Sequence, residues 1–503
     1  MNDYYSIWGL DEPLTTSYQV DRRVIERDFT EMAKQKKVTF FHGKVKKVVC
    51  PDGCGYASKK LTVKLDGGDV QTVSCRHLVD STGRAFVLGR LKDNILKGVE
   101  HTQGIEQGSV FMRVVGVDAK KIFDDGYHPN SGLGSRYYGT NHFFGTGHWC
   151  WMIPINNRSF DLSIGIVYHP NIVDPKLLNS QTKMIQFLKD HHEVLARIIE
   201  SADTINDFKH IAPPLGHSSK KYLSHDGWYV VGEAAVNWDP FYSTGLAMAA
   251  FQTTTVAECI RQELIGVHPG VLAERIAWWD GTVSGECYGN STIMTKQDKH
   301  LGHCSAMSWR IYFENVLYFS ITFPTFVGQY HIYQDIKNPY AKCNHEDGKT
   351  IDCAQKYINN LLDEIVDPES TVNAGMMHTY TPGELTLFGY DFGMHPTDGN
   401  YTTEWLNRAL VEPLRVNVAR IQAWGMIQVM VICLILTYRV RGFHGWFQKE
   451  FLATQFVLFK EVMALFFIAF IHDLETSGEP ASNKAWNDAR SHMGENYDYQ
   501  GYI

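Results

Sequence analysis

Residues 228–251, WYVVGEAAVNWDPFYSTGLAMAAF, decide the fold because they combine a strand, a turn and a helix in one continuous stretch. The apolar run at 228–232 predicts a short buried strand, which the chain leaves through a Gly-, Asp- and Pro-containing turn. The small apolar residues of 246–260 then predict a helix. A strand that leads through such a turn into a helix indicates a mixed chain of strands and helices.

The ends of this strand and this helix carry groups that can bind a ligand. Glu233 follows the strand directly, where its carboxylate can accept hydrogen bonds from ligand hydroxyl groups. The backbone amides of Ser243, Thr244 and Gly245 would face an anion, because helix N-termini attract negative charge. The alternative interpretation is a loop in which Ser243 or Thr244 merely caps the helix.

A second motif, DSTGR, begins at Asp80 at the end of the apolar segment 70–80. Gly83 in this motif would let the backbone approach a ligand closely, because glycine has no side chain. An ordinary turn at the end of a strand would look the same.

A third motif, GHWCWMIP, places Trp149 and Trp151 two residues apart in a predicted strand. Side chains at this spacing point to the same face of a strand, so the two indoles would form one broad wall. A pair of core tryptophans is the alternative interpretation.

The remaining sequence is β-rich in its first third and mostly helical beyond residue 270. Periodicity and turn residues predict helices at 21–36, 177–200 and 351–364, and strands at 38–49, 60–65, 70–80, 109–116, 149–155 and 160–167. Segment 335–403 is polar and rich in Gly and Pro, which predicts loops around one helix.

Composition excludes several classes of protein. The 503 residues are 44% hydrophobic and 20% charged, as in an ordinary globular protein. A net charge of −8 without Lys/Arg blocks argues against nucleic acid as a partner. Ten scattered cysteines form no disulfide framework, and the N-terminus lacks the pattern of a secretory signal, so a cytoplasmic protein is expected. No ligand set has zinc spacing, so no metal site is predicted, and His191-His192 is expected on a solvated helix face.

Two apolar segments near the C-terminus leave two interpretations open. Residues 421–438 carry no charge and are just long enough to cross a bilayer, which needs about 20 residues. Residues 451–471 are also apolar, but Lys460 and Glu461 make them a poor spanning helix. The pair is either a membrane-associated hairpin or two core helices of a large protein.

Together the motifs resemble those of the flavin-dependent halogenases, and more widely of FAD monooxygenases with a glutathione-reductase type of fold. GHWCWMIP matches the halogenase signature Gly-x-Trp-x-Trp-x-Ile-Pro at every fixed position. Segment 232–245 is similar to the family's Gly-Asp-Ala-Ala…Asp-Pro-x-x-Ser-x-Gly, with Glu233 in place of the usual Asp. DSTGR and YQVDRRVIERDF resemble two further family segments, and Arg22 in the latter matches an Arg that faces the flavin. The resemblance covers residues 17–260.

The resemblance implies an α/β fold and an FAD-dependent enzyme. In that family, reduced FAD and oxygen convert halide to hypohalous acid, and a separate reductase supplies FADH2. Trp149 and Trp151 would then separate the flavin from the substrate, while Ser243, Thr244 and Gly245 would bind halide or the flavin edge. The other residues implied to bind FAD are Arg22, Asp80, Gly83, Gly232, Glu233, Asp239 and Pro240.

The resemblance also implies a domain organisation. Residues 1–105 would be the remainder of an FAD-binding domain, 106–225 a β-sheet substrate domain, 226–300 a return to the FAD-binding domain, and 301–503 a helical C-terminal region. The family's N-terminal Gly-x-Gly-x-x-Gly fingerprint and its catalytic lysine have no counterpart here, which predicts an N-terminally shortened chain.

Tyr242 bears on the substrate. Tryptophan halogenases carry a catalytic Glu just before Ser-Thr-Gly, whereas this chain has Tyr242, which favours a phenol- or pyrrole-type substrate, free or carrier-bound. The apolar C-terminal region could contact a lipid-like substrate or a membrane. Two alternatives stay open: a related FAD monooxygenase or geranylgeranyl-reductase-like enzyme, which would not need halide, and a degenerate, non-catalytic membrane-associated protein.

Overall fold

A computed structural model describes residues 20–57, 59–97, 106–117, 140–156, 161–294, 296–322, 349–372, 374 and 418–475. These residues form two compact units, of which the first ends at Asp280 and the second begins at Gly281.

The first unit contains both strands and helices, and helices make up most of the second. The strands are β1 (Gly43–Val49), β2 (Lys59–Leu65), β3 (Val70–Cys75), β4 (Leu78–Asp80), β5 (Ile95–Lys97), β6 (Gly108–Val115), β7 (Asn141–Gly145), β8 (His148–Asn156), β9 (Asp161–Tyr168), β10 (Thr204–Ile211), β11 (His217–Ser219) and β12 (Trp228–Val230). The helices are α1 (Arg22–Gln35), α2 (Val87–Leu91), α3 (Gln181–His191), α4 (Glu193–Glu200), α5 (Gly245–Leu264), α6 (Pro269–Thr292), α7 (Gln297–His300), α8 (Cys304–Leu317), α9 (Lys349–Val366), α10 (Val418–Arg441) and α11 (Lys449–Glu475).

The largest sheet of the first unit has the strand order β10-β6-β9-β8-β7, and all of its neighbours are antiparallel. Alternate residues of β8 point to opposite faces, as the period of a strand requires. Cys150 and Met152 belong to a core that also contains Met184 and Phe187 of α3 and Leu195 of α4. These two helices therefore cover one face of the sheet, and Trp149 and Trp151 project from the other face.

A short parallel pair brings two distant parts of the sequence together. β12 pairs with β4 so that Trp228 lies beside Leu78 and Val230 beside Asp80. Since parallel strands end at the same edge, the turns that follow β4 and β12 become neighbours. After β12 the chain passes through the turn at residues 231–244 and enters α5.

The second unit is built on one apolar core shared by α8, α9, α10 and α11. Phe313 and Leu361 are fully buried, as are Cys433 and Leu436 of α10. One helix among the described residues, Gln422–Arg441, has the length and composition to cross a membrane, and 44% of its apolar window is buried. The two predicted apolar segments are thus helices that contribute to a core.

Three sequence-based expectations need correction. The predicted strand 70–80 is two strands, because β3 pairs with β2 while β4 pairs with β12. The predicted helix 177–200 breaks at His192, whose φ of −140° is not helical. His192 is 1% exposed and not on a solvated face, although His191 beside it is exposed.

The sequence analysis also missed β7 and β10, which form the two edges of the large sheet. β10 contains a bulge between Asn206 and Lys209, where Asp207 has a φ of 56°, so its residues do not alternate regularly. The predicted domain boundaries remain predictions, and α6 crosses the boundary between the two units. Much of segment 335–403 and all of residues 1–19 lie outside the described residues.

Candidate functional site

The turns after β4 and β12 lie side by side and carry two of the predicted motifs. The amide of Val231 donates to the carbonyl of Asp80 at 3.0 Å, which continues the parallel pairing. Arg84 then joins the turns, because its Nη1 lies 3.7 Å from Oε1 of Glu233 and donates to the carbonyl of Leu215 at 3.0 Å. The structure therefore brings DSTGR and the Gly232-Glu233 turn together.

Asp80 shapes the first of these turns. Its buried carboxylate accepts hydrogen bonds from the amide and the hydroxyl of Thr82, at 2.9 and 2.6 Å, and from the amide of Leu88 at 2.6 Å. Both carboxylate oxygens are thus occupied by the protein itself. The role of Asp80 in binding a cofactor stays a prediction, and the structure shows that it fixes the backbone around Gly83.

Glycines keep the backbone open at both turns. Gly83 and Gly232 have φ values of 58° and 59°, a region that residues with a side chain rarely adopt. Within the part of the chain that the structure describes, a Cβ atom built on Gly232 would meet no atom within 4 Å. The amide of Gly232 is held by Oε1 of Gln252 in α5, at 2.6 Å. A flat ligand could therefore approach the backbone closely at Gly232.

The loop before α5 presents the helix N-terminus without a side-chain cap. Ser243 is exposed and has a φ of 54°, and Thr244 is buried with its hydroxyl accepting a hydrogen bond from Nε1 of Trp238 at 3.2 Å. Neither side chain caps α5, which was the alternative interpretation. Gly245 is exposed, and a Cβ built on it would meet nothing within 4 Å. The first turn of α5 is thus open to an anion.

The two tryptophans of β8 lie on one face, as their spacing predicts. Their ring centroids are 5.7 Å apart, and Trp149 is 2% exposed. Nε1 of Trp151 donates to Oγ of Ser163 at 3.1 Å, and its ring covers Gly165 of β9. A Cβ on Gly165 would come within 2.1 Å of that ring, so a glycine is required opposite Trp151.

Asp239 connects the tryptophan pair to the loop before α5. Nε1 of Trp149 donates to Oδ1 of Asp239 at 3.2 Å, and the same oxygen accepts from the amide of Phe241 at 2.9 Å. Nε2 of Gln107 donates to the other oxygen at 2.5 Å. Pro240 follows Asp239 as the first residue of a 3₁₀ turn. The structure therefore brings the third motif to the second half of the Gly232–Gly245 segment.

The structure does not bring Arg22, a predicted site residue, into contact with the three motifs described above. It lies in the first turn of α1, a helix without buried residues, and its guanidinium pairs with Glu26 while remaining 73% exposed. Its role toward a flavin remains a prediction.

Several residues of the site carry no sequence signal of their own. Three side chains reach the motifs only because of the fold: Gln107 bonds to Asp239, Gln252 to Gly232, and His142 lies beside Trp149. The ring of His142 lies 5.3 Å from that of Trp149 and 4.9 Å from that of Phe241, between centroids. Removal from water lowers the pKa of His142 to about 4, so this side chain is neutral at neutral pH.

Comparison with known proteins identifies the family. No protein-family model matches the chain. The chain is 30% identical to the flavin-dependent halogenase ChlA of Dictyostelium discoideum over 498 residues, which are 95% of this chain and 79% of that protein. The chain belongs to the flavin-dependent halogenase family. The predicted family, the α/β fold class and the assignment as an FAD-dependent oxidoreductase are thereby confirmed.

Other relatives of this halogenase-family chain are more distant. A 1H-pyrrole-2-carbonyl-(peptidyl-carrier protein) brominase of Pseudoalteromonas luteoviolacea is 25% identical over 258 residues, 50% of this chain and 57% of that protein. The solved halogenase CmlS superposes with a TM-score of 0.45 and 15% identity over 72% of this chain and 58% of its own. The flavin-dependent brominase Bmp2 superposes with a TM-score of 0.45 and 20% identity, over 69% of this chain and 76% of its own.

Proposed function

We propose that this chain halogenates an electron-rich aromatic compound, using halide, oxygen and FADH2 from a separate flavin reductase. The observation that carries the proposal is the hydrogen bond between Trp149 and Asp239. It links the indole pair to the loop that opens the N-terminus of α5. The indole pair and the open N-terminus of α5 are thus held by one hydrogen-bonded structure. This arrangement suits an enzyme that must form an oxidised halogen species and retain it.

The residues present fit a flavin. Gly232 offers backbone that no side chain covers, Gly245 does the same at the start of α5, and Glu233 is exposed beside Gly83. These groups would hold the cofactor, with Glu233 accepting hydrogen bonds from its hydroxyl groups. Bound in reduced form, FAD would supply the two electrons with which oxygen is activated.

The open first turn of α5 would bind the halide. The amides of Thr244 and Gly245 lie at a helix N-terminus, where unpaired N–H groups and the helix dipole both favour an anion. Backbone donors hold chloride or bromide without adding a positive side chain beside the cofactor.

Trp149 and Trp151 would keep the organic substrate away from the site of oxygen activation. Their position is fixed from several sides, since Trp149 bonds to Asp239 and Trp151 is seated over Gly165. A rigid wall would let a small oxidised halogen species pass while a ring could not. Direct transfer of oxygen to the substrate would then be suppressed.

The substrate class is proposed from Tyr242, which stands where tryptophan halogenases carry a catalytic Glu. Its ring packs edge-on against Phe241 with centroids 4.6 Å apart. Without that carboxylate the enzyme would act on rings that are activated on their own, such as phenols or pyrroles. One relative is named a brominase of a carrier-bound pyrrole, which supports a small or carrier-bound substrate of this kind.

The proposed function is tested by supplying the full chain with FAD, a flavin reductase, NADH, oxygen and phloroglucinol as an activated phenol. With bromide present we expect a brominated product by mass spectrometry, and without halide we expect no oxidised product. Oxygenated product in the absence of halide would support a monooxygenase. Failure to bind FAD and to form any product would support the non-catalytic alternative.

We also propose that the second unit contacts an anionic membrane surface through α11. One face of this helix exposes six large apolar side chains, each 51–65% exposed: Leu452, Phe456, Phe459, Met463, Phe467 and Phe470. Exposed Lys449 and Lys460 lie on the same helix, where long basic side chains can reach lipid phosphates while the apolar side chains enter the interface. A lipid-like substrate could be taken up there.

A further inference from the structure

A second cluster of chemically active side chains lies on the face of β8 opposite the indole pair. His148 and Cys150 are two residues apart in this strand and therefore project to the same side. His192 reaches them from the break between α3 and α4. The three residues are 3%, 0% and 1% exposed.

The ligand atoms of this cluster converge. One atom from each of His148, Cys150 and His192 lies within 4.8 Å of the other two. The two Nε2 atoms of the histidines are 2.8 Å apart. Imidazole nitrogen and cysteine sulfur are the ligand types that zinc prefers in proteins.

A hydrogen bond fixes His148 in a form suited to metal binding. Nδ1 of His148 is 3.0 Å from the carbonyl oxygen of Thr146, and since a carbonyl only accepts, Nδ1 carries the proton. Nε2 of His148 is then a bare acceptor, and His192 donates to it. A second bond that orients the ring in this way is typical of metal-binding histidines.

His192 is left with an unsatisfied atom. Its Nδ1 is buried and has no hydrogen-bond partner among the described residues, although burying such an atom unpaired costs about 1–3 kcal/mol.

We propose that His148, Cys150 and His192 bind one Zn²⁺ ion. The zinc–sulfur bond forms as the Cys150 thiol loses its proton to solvent. The proton of His192 moves from Nε2 to Nδ1, so binding releases one proton in total. The two Nε2 atoms would separate by a few tenths of an ångström, as ligands at about 2.0–2.1 Å from a tetrahedral ion require.

The neighbouring His191 would complete the coordination. Its ring centroid is 5.7 Å from that of His148 and 4.4 Å from that of Phe187, and its side chain is exposed. The ion would tie β8 to the junction of α3 and α4. The ion would therefore stabilise β8, which carries Trp149 and Trp151, from the face opposite these indoles. It would not contact the reacting groups.

The proposal is tested with the reduced full chain, washed with a chelator, loaded with Zn²⁺ and dialysed. We expect about one zinc per chain by mass spectrometry and a rise in Tm on loading. Cys150→Ala and His192→Phe should lose both effects. Cys259→Ala, which removes a buried thiol elsewhere in the first unit, should keep them.

X-ray absorption of the zinc-loaded wild-type chain tests the proposal without any variant. One sulfur at about 2.3 Å together with imidazole nitrogens at about 2.0–2.1 Å would support it. A shell without sulfur or with several sulfurs would overturn it, as would loss of zinc on dialysis or retention of zinc by folded Cys150→Ala. These readouts do not depend on halogenation, so they are independent of the proposed function.

Discussion

Asp239 holds together groups that come from three separate parts of the chain. Its carboxylate accepts from Trp149, Gln107 and the amide of Phe241. A buried carboxylate with this many donors is costly to replace, because each donor would be left unpaired. The position of the indole and the path of the following loop are therefore set by one residue.

We predict that Trp149→Phe uncouples the enzyme. Phenylalanine keeps an aromatic ring but lacks the N–H that bonds to Asp239, so the wall loosens. A hydrogen bond to a charged group contributes about 1.5–3 kcal/mol to holding a side chain in place, so we expect a severalfold loss of halogenated product per NADH. The measurement is product formed and hydrogen peroxide released per NADH. Trp309→Phe, in the core of the second unit, is the control, and unchanged coupling in Trp149→Phe would refute the wall.

A further residue-level prediction concerns Gly245. Because a Cβ at this position meets no atom of the described residues within 4 Å, Gly245→Ala should fold normally, with a stability within about 1 kcal/mol of wild type. The methyl group would nevertheless occupy the space before α5, so we expect a clearly raised KM for bromide.

Gly289→Ala is the matched control for this variant, since Gly289 also lies in a helix and its Cβ would also meet nothing within 4 Å. Steady-state kinetics at varied bromide and fixed FAD shows whether the KM for bromide is raised in Gly245→Ala and unchanged in Gly289→Ala. An unchanged KM in Gly245→Ala would place the halide elsewhere.

At the scale of elements, the sequence predicted most helices and strands but not their partners. The indole pair, the strand of 228–232 and the helix after it follow from periodicity, which local side chains determine. The division of 70–80 does not, because whether β3 continues into β4 depends on pairing with β2 and β12. His192 was misjudged for the same reason, since only the break between α3 and α4 turns it inward.

The exposed face of α11 leads to a prediction for this element. The triple variant Phe456→Ser, Phe459→Ser and Phe467→Ser should lose sedimentation with vesicles of phosphatidylcholine and phosphatidylserine, because apolar burial and lipid charge act together. Phe29→Ser, which removes a phenylalanine 60% exposed on α1, should still sediment.

Vesicles of phosphatidylcholine alone should bind the wild-type chain less, because Lys449 and Lys460 then lack anionic partners. If wild-type protein does not sediment, and light scattering shows a dimer that the triple variant abolishes, the face is a contact between two copies of the chain instead.

At the scale of the whole molecule, the second unit carries a buried acid that makes its stability depend on pH. Burial raises the pKa of Glu286 in α6 from 4.5 to about 7, partly offset by a hydrogen bond with Thr322. Between these two values the folded chain keeps a proton that the unfolded chain has lost. The contribution of Glu286 to stability therefore falls as pH rises from about 4.5 to about 7, by about 3 kcal/mol. Buried His300 of the same unit, whose pKa is lowered to about 4, contributes in the opposite direction, so the effect of Glu286 is read as a difference between variant and wild type.

We predict that Glu286→Gln removes this loss of stability at higher pH. The amide cannot ionise, so the variant should unfold at higher denaturant concentration than wild type at pH 8 and at a similar concentration at pH 4.5. Urea unfolding followed at both pH values is the measurement. Glu369→Gln, at an exposed position, is the control, and equal pH dependence of Glu286→Gln and wild type would contradict the prediction.

The parallel pairing of β4 and β12 has a consequence for protein engineering. The two turns are cross-linked by backbone pairing and by Arg84, so neither can adopt a new conformation by itself. Segments 78–85 and 228–245 therefore form a single exchangeable module, though they are far apart in the gene. A chimaera that transplants both segments from a relative with the same residues at positions 107 and 149, the partners of Asp239, should keep its fold. A chimaera that transplants only one segment would pair two turns that do not match.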